Sequence, residues 1–97
     1  MKRYGRKDAN HNAVAGALLD IGCSVLDLSP MGRGVPDLLV ASNRLTALVE
    51  VKDGAKPPSK RALTPAQKKF FATWRHPVLV VTSVDEALAL FGARVTA

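Results

Sequence analysis

Two acids and a lysine occupy positions where apolar residues are expected. Asp37 follows Pro36 and opens the run DLLVA, and Glu50 and Lys52 flank Val51 at the end of LTALVEVK. Both runs are rich in β-branched and aliphatic residues, and the turn-forming SNR lies between them, so they read as a β-hairpin. With Asn43-Arg44 as the turn and Ser42 opposite Leu45, antiparallel pairing sets Asp37 against Glu50 on one face. Side chains alternate along a strand, so Lys52 shares that face, and Val49 and Val51 point to the other, toward the core. Carboxylates set opposite each other repel, and partial burial opposes the ionisation of both. A divalent cation would stabilise them, and Mg²⁺ prefers oxygen ligands. Asp37, Glu50 and the Val51 carbonyl could supply part of its shell, with the Lys52 ammonium alongside. The simpler alternative is a salt bridge between Lys52 and Glu50, with Asp37 capping a turn.

The remaining elements must hold this hairpin. DANHNAVAGALLDIG reads as a helix, capped by Asp8 or Asn10 and ended by Gly22, with Val14, Ala17, Leu18 and Ile21 on its apolar face. CSVLDLS reads as a strand and PMGRGVP as a loop leading to Asp37. DGAKPPSKRA has the composition of a mobile basic loop. In LTPAQKKFFATWR, Thr64 is the N-cap, Pro65 the first helical residue and Gln67 the third, a capping-box pattern. At least two of Phe70, Phe71 and Trp74 are expected in the core. HPVLVVTS reads as a strand apolar on both faces, hence central. Ser83 starts a last helix that Gly92 closes. The order α-β-β-β-α-β-α describes an α/β domain, a mixed sheet flanked by helices, spanning residues 1–97 as one unit.

Fourteen Lys and Arg residues against eight Asp and Glu give a net charge of +6. That balance favours a polyanionic partner, most often nucleic acid. Arg33, between two glycines before Asp37, and Lys56, Lys60 and Arg61 after Lys52 are candidate phosphate contacts. The single cysteine, Cys23, excludes an intrachain disulfide and a thiolate metal cluster, which fits a reducing cytoplasm. No apolar run approaches the roughly 20 residues of a membrane span.

Pro36-Asp37, twelve residues, then Glu50-Val51-Lys52 resembles the motif of the PD-(D/E)XK nuclease superfamily. GVPDLLV, EVKDG, LTPAQ and PVLVVTSVDEAL extend the likeness toward its VRR-NUC branch, especially small stand-alone phage and prophage members. The resemblance implies a restriction-endonuclease-like core and Mg²⁺- or Mn²⁺-dependent hydrolysis of DNA phosphodiesters. It assigns Asp37, Glu50 and the Val51 carbonyl to the metal, Lys52 to the attacking water and Gln67 to the active site. It further implies a homodimer acting on branched or junction DNA, in the host cytoplasm if the gene is phage-borne. Many relatives carry a glutamate in the first helix that supports the metal. Here Asp8, Asn10, His11 and Asn12 stand in that region, with Asn10 the candidate for that role. A non-catalytic DNA-binding protein or partner subunit on the same fold is the alternative.

Overall fold

The computed structural model describes residues 8–92, so the basic segment 1–7 lies outside the described residues. Helix α1 (His11–Asp20) leads through Gly22 into strand β1 (Ser24–Asp27). Gly22 takes a left-handed φ of 95° and lets the Gly22 and Cys23 amides turn back onto the Leu19 and Leu18 carbonyls. Strands β2 (Leu38–Ala41) and β3 (Thr46–Val51) follow, then α2 (Pro65–Thr73), β4 (Leu79–Val81) and α3 (Val84–Phe91). The sheet order is β1-β2-β3-β4, antiparallel for the first three strands and parallel between β3 and β4. The chain is thus α/β with a four-stranded mixed sheet, and α2 lies in the crossover that a parallel pair requires.

The β2–β3 register is set by the turn. Ser42 accepts from the Arg44 and Leu45 amides through its hydroxyl, and its own amide donates to the Leu45 carbonyl. Leu38 consequently pairs with Val49 and Ala41 with Thr46, as expected from the turn residues. Continuing that pairing sets Asp37 against Glu50.

The core lies on one face of the sheet. Leu38, Val40, Val49, Val51 and Val81 meet Val14 and Leu18 of α1 and Ala87 and Phe91 of α3 there. The buried stripe of α1 is His11, Val14 and Leu18, and Ile21 is exposed because the helix has already ended at Asp20. Helix α2 covers the opposite face less completely. Its capping box forms as read from LTPAQ, but the helix buries none of its residues fully. Phe70 and Phe71 are half-buried, and Trp74 is 48% exposed and stacks on Phe70 with ring centroids 5.1 Å apart. None of the three aromatics is fully buried, and Trp74 lines a groove with Leu39 and Leu48 instead of entering the core. Strand β4 also departs from expectation. It holds three residues at the sheet's edge, with Val80 44% exposed. The basic loop is not featureless either: Pro58–Lys60 forms a 3-10 turn. Among the described residues, no helix is long and apolar enough to cross a membrane.

One contact fixes α2 relative to the loop before β2. Gly34 has φ 81°, and a Cβ there would overlap the Ala66 carbonyl and come within 2.9 Å of the Gln67 amide nitrogen. Both neighbours are helix backbone and cannot yield without moving the helix. Gly34→Ala is expected to lower stability by about 2 kcal/mol or more, read as a drop in the denaturant midpoint.

Candidate active site

The end of β3 carries the site because both of its faces are covered there. Val49 and Val51 pack into the core, while Glu50 and Lys52 face the side bordered by α2 and are 3% and 8% exposed. A cleft of about 410 Å³ opens over them. Asp37, Glu50, Val51, Lys52, Gln67 and Arg33 all line it, so the structure gathers these candidates into one place.

Asp37 is held by its backbone and its side chain. Its carbonyl accepts from the Leu28 amide at 2.7 Å, and Oδ2 accepts from the Val51 amide at 2.8 Å. Continuing the β2–β3 register would pair Val51 with Pro36, which has no N–H. The Asp37 carboxylate, not the Pro36 carbonyl, takes the Val51 amide, and Pro36 has no hydrogen to offer the Val51 carbonyl. Val51 itself lines the cleft.

Glu50 and Lys52 share one partner. Gln67 donates from Nε2 to Glu50 Oε2 at 2.9 Å, and its Oε1 accepts from Lys52 Nζ at 2.9 Å. Lys52 Nζ also stands 3.6 Å from Glu50 Oε2. Glu50 Oε1 is buried without a hydrogen-bond partner. Burial, then repulsion from Asp37, pushes the Glu50 carboxyl up to about 8 despite the nearby ammonium. Burial also raises Asp37, opposed by the Val51 amide and by His11. One lysine thus faces two acids, Glu50 buried and Asp37 partly so, which also hydrogen-bond to each other when Glu50 holds its proton.

No protein-family model, curated protein or solved structure matches this chain.

The remaining candidates lie elsewhere. Lys56 and Lys60 are exposed on the basic loop, and Arg61 donates from Nε to the Lys56 carbonyl, bracing that loop. None of the three lines the cleft. Asn10 occupies the cap position of α1 but makes no cap bond with its side chain. Its Nδ2 donates to the Lys52 and Thr82 carbonyls, tying the ends of β3 and β4 to the start of α1. Asn10 is outside the cleft lining and Asp8 is within it. Asp8 Oδ2 accepts from the Asp53 amide at 2.8 Å. Asp8 is among the residues that stand in the first-helix region for the metal-supporting role, with Asn10 preferred, and the structure places Asp8 in the cleft; Ser29 and Thr64 are lining residues that the sequence pattern does not mark as such. Asp8 and Thr64 stand at helix starts and read as caps, so their second placement depends on contacts across the fold.

Proposed function

We propose that the chain is a metal-dependent nuclease of restriction-endonuclease-like fold, cleaving DNA phosphodiester bonds at the Asp37–Glu50–Lys52 cleft. The observation that carries this reading is Glu50. Its carboxyl is buried beside that of Asp37, which raises it; Gln67 Nε2 and the Lys52 ammonium both approach Oε2, and no N–H donor reaches Oε1. A protein can keep such a group for a cation that offsets the repulsion.

The donor set fits Mg²⁺ or Mn²⁺: two carboxylates and the Val51 carbonyl, with the rest of the shell left for water and a phosphate oxygen. When bound, the ion supplies an acidified water and a Lewis acid for the phosphoryl oxygen. The chain's own groups do the rest. Asp37 is oriented by the Val51 amide and Glu50 by Gln67. Lys52, held by Gln67 Oε1, retains N–H groups for the attacking water or the scissile phosphate. Arg33 stands at the rim of the same cleft, placed to meet an incoming phosphate. The exposed Lys56 and Lys60 extend the basic surface beyond it.

The test is a panel of linear, nicked, flapped and four-way DNAs incubated with purified protein in Mg²⁺, Mn²⁺ or excess EDTA. Cleavage is expected with either metal and none in EDTA, with branched substrates cut fastest by a homodimer. Lys56→Ala with Lys60→Ala is expected to weaken binding at every sequence alike and to flatten its salt dependence by about two phosphate contacts. Salt-sensitive DNA binding with no cleavage under any metal would favour the non-catalytic alternative.

A further inference from the structure

Helix α2 is tied into the site by its own cap. Gln67 is both the third residue of the helix and the bridge between Glu50 and Lys52. Its backbone amide donates to Thr64 Oγ1 at 3.2 Å, and its side-chain Oε1 accepts from the Thr64 amide at 2.9 Å. The Thr64 amide can only donate, so the Gln67 atom facing it must be oxygen. That fixes the orientation of the side-chain amide. The oxygen is shared between the Thr64 amide and the Lys52 ammonium, and the NH₂ group is directed to Glu50. With the amide reversed, NH₂ would face both an N–H and an ammonium, and a carbonyl oxygen would face a carboxylate.

We infer that the Thr64 hydroxyl is a positioning group of the site: by accepting from the Gln67 backbone amide it holds the N-cap turn in which the Thr64 amide faces Gln67 Oε1, and so keeps the Gln67 side chain in the one orientation that gives Glu50 a donor and Lys52 an acceptor. The inference rests on the nuclease reading for its consequence in catalysis, but the locked amide itself does not depend on it. Gly34 supports the same arrangement by leaving room for the α2 backbone at Ala66 and Gln67. Helix α3 provides an internal comparison. Ser83 caps it with the same chemistry, its Oγ accepting from the Glu86 amide at 3.1 Å, and does not line the cleft.

The experiment compares Thr64→Ala, Thr64→Ser and Ser83→Ala with the wild type, well below their melting temperatures. With saturating metal, Thr64→Ala is expected to lower kcat about tenfold or more while KM for DNA stays within about twofold, since small misplacements of a site group cost rate. Thr64→Ser is expected to restore kcat, and Ser83→Ala to leave it unchanged. Gln67 is the only glutamine in the chain, so selective ¹⁵N labelling of the glutamine side-chain amide gives one NH₂ signal, free of those of Asn10, Asn12 and Asn43. In metal-free protein that signal is expected to shift in Thr64→Ala toward the position of a free glutamine, and to stay put in Ser83→Ala. A Thr64→Ala kcat within twofold of wild type, or an unmoved Gln67 signal, would overturn the inference. If the wild type cuts no DNA, the nuclease reading falls, and the Gln67 signal alone decides this one.

Discussion

Asp37→Ala and Glu50→Gln are each expected to lower metal-dependent DNA cleavage by about 10³-fold or more, with DNA binding reduced far less. A bound divalent ion contributes several kcal/mol of charge stabilisation at a phosphoryl centre, and each 1.4 kcal/mol or so is a factor of ten in rate. Either substitution removes one of two protein carboxylates, so the ion is lost or displaced. Binding survives because Arg33, Lys56 and Lys60 are untouched. Glu50→Gln is the more informative of the two. It conserves volume and relieves a buried carboxylate that Asp37 repels, so the variant should be at least as stable as the wild type near pH 8 while inactive. Gel retention in Ca²⁺ beside cleavage in Mg²⁺ separates the two properties. Metal-dependent cleavage by purified Glu50→Gln within tenfold of wild type would remove this residue from the site.

The second large effect is on stability. In unfolded protein Glu50 ionises near its ordinary value of 4.5, while in the folded, metal-free protein it holds its proton up to about 8. Between those values the native state binds the extra proton, so stability falls as pH rises from about 4.5 and levels off above about 8. Asp37, also raised by burial, acts in the same direction from lower pH. Each unit of displacement corresponds to about 1.4 kcal/mol, so the total is on the order of a few kcal/mol. Urea midpoints in EDTA are therefore expected to be lower at pH 8 than at pH 5. Glu50→Gln should flatten most of that slope. Millimolar Mg²⁺ should restore the pH 8 midpoint by binding the native state. Equal midpoints at pH 5 and pH 8 in EDTA would mean that the two acids are not strained as described.

The hairpin register and the two later helix caps were legible because their signals are local. Ser42, Asn43 and Arg44 specify a tight turn, and once it is placed, pairing by twos carries Asp37 to Glu50. Thr64-Pro65-Ala66-Gln67 specifies a capping box, and Ser83 with Gly92 brackets the last helix. What the sequence could not express is which neighbour a side chain finds across the fold. Asn10 has the residue type of a cap, and nothing near it signals that its amide would reach the Lys52 and Thr82 carbonyls instead. Arg61 sits in a basic run and reads as a phosphate contact, and nothing near it signals that its Nε would also brace the loop through the Lys56 carbonyl. Strand β4 is apolar on both faces, as a central strand is, but its place in the sheet follows from the crossover and leaves Val80 at the edge. The stripe of Phe70, Phe71 and Trp74 has core spacing, but α1 and α3 already fill the core face.

The grip on the end of β3 is lopsided. On one flank the Lys52 amide is bonded to the Val81 carbonyl, the Lys52 carbonyl to Asn10 and the Asp53 amide to Asp8. On the other flank the ladder halts at Pro36, and the boundary is the Gly32–Gly34 loop with the first turn of α2. Among the described residues, the cleft over the acids is bounded on that second flank by Arg33 and the start of α2. If the cleft does take a nucleic-acid strand as proposed, one entering on that flank would pass Arg33 and the start of α2 before its backbone met Asp37 and Glu50.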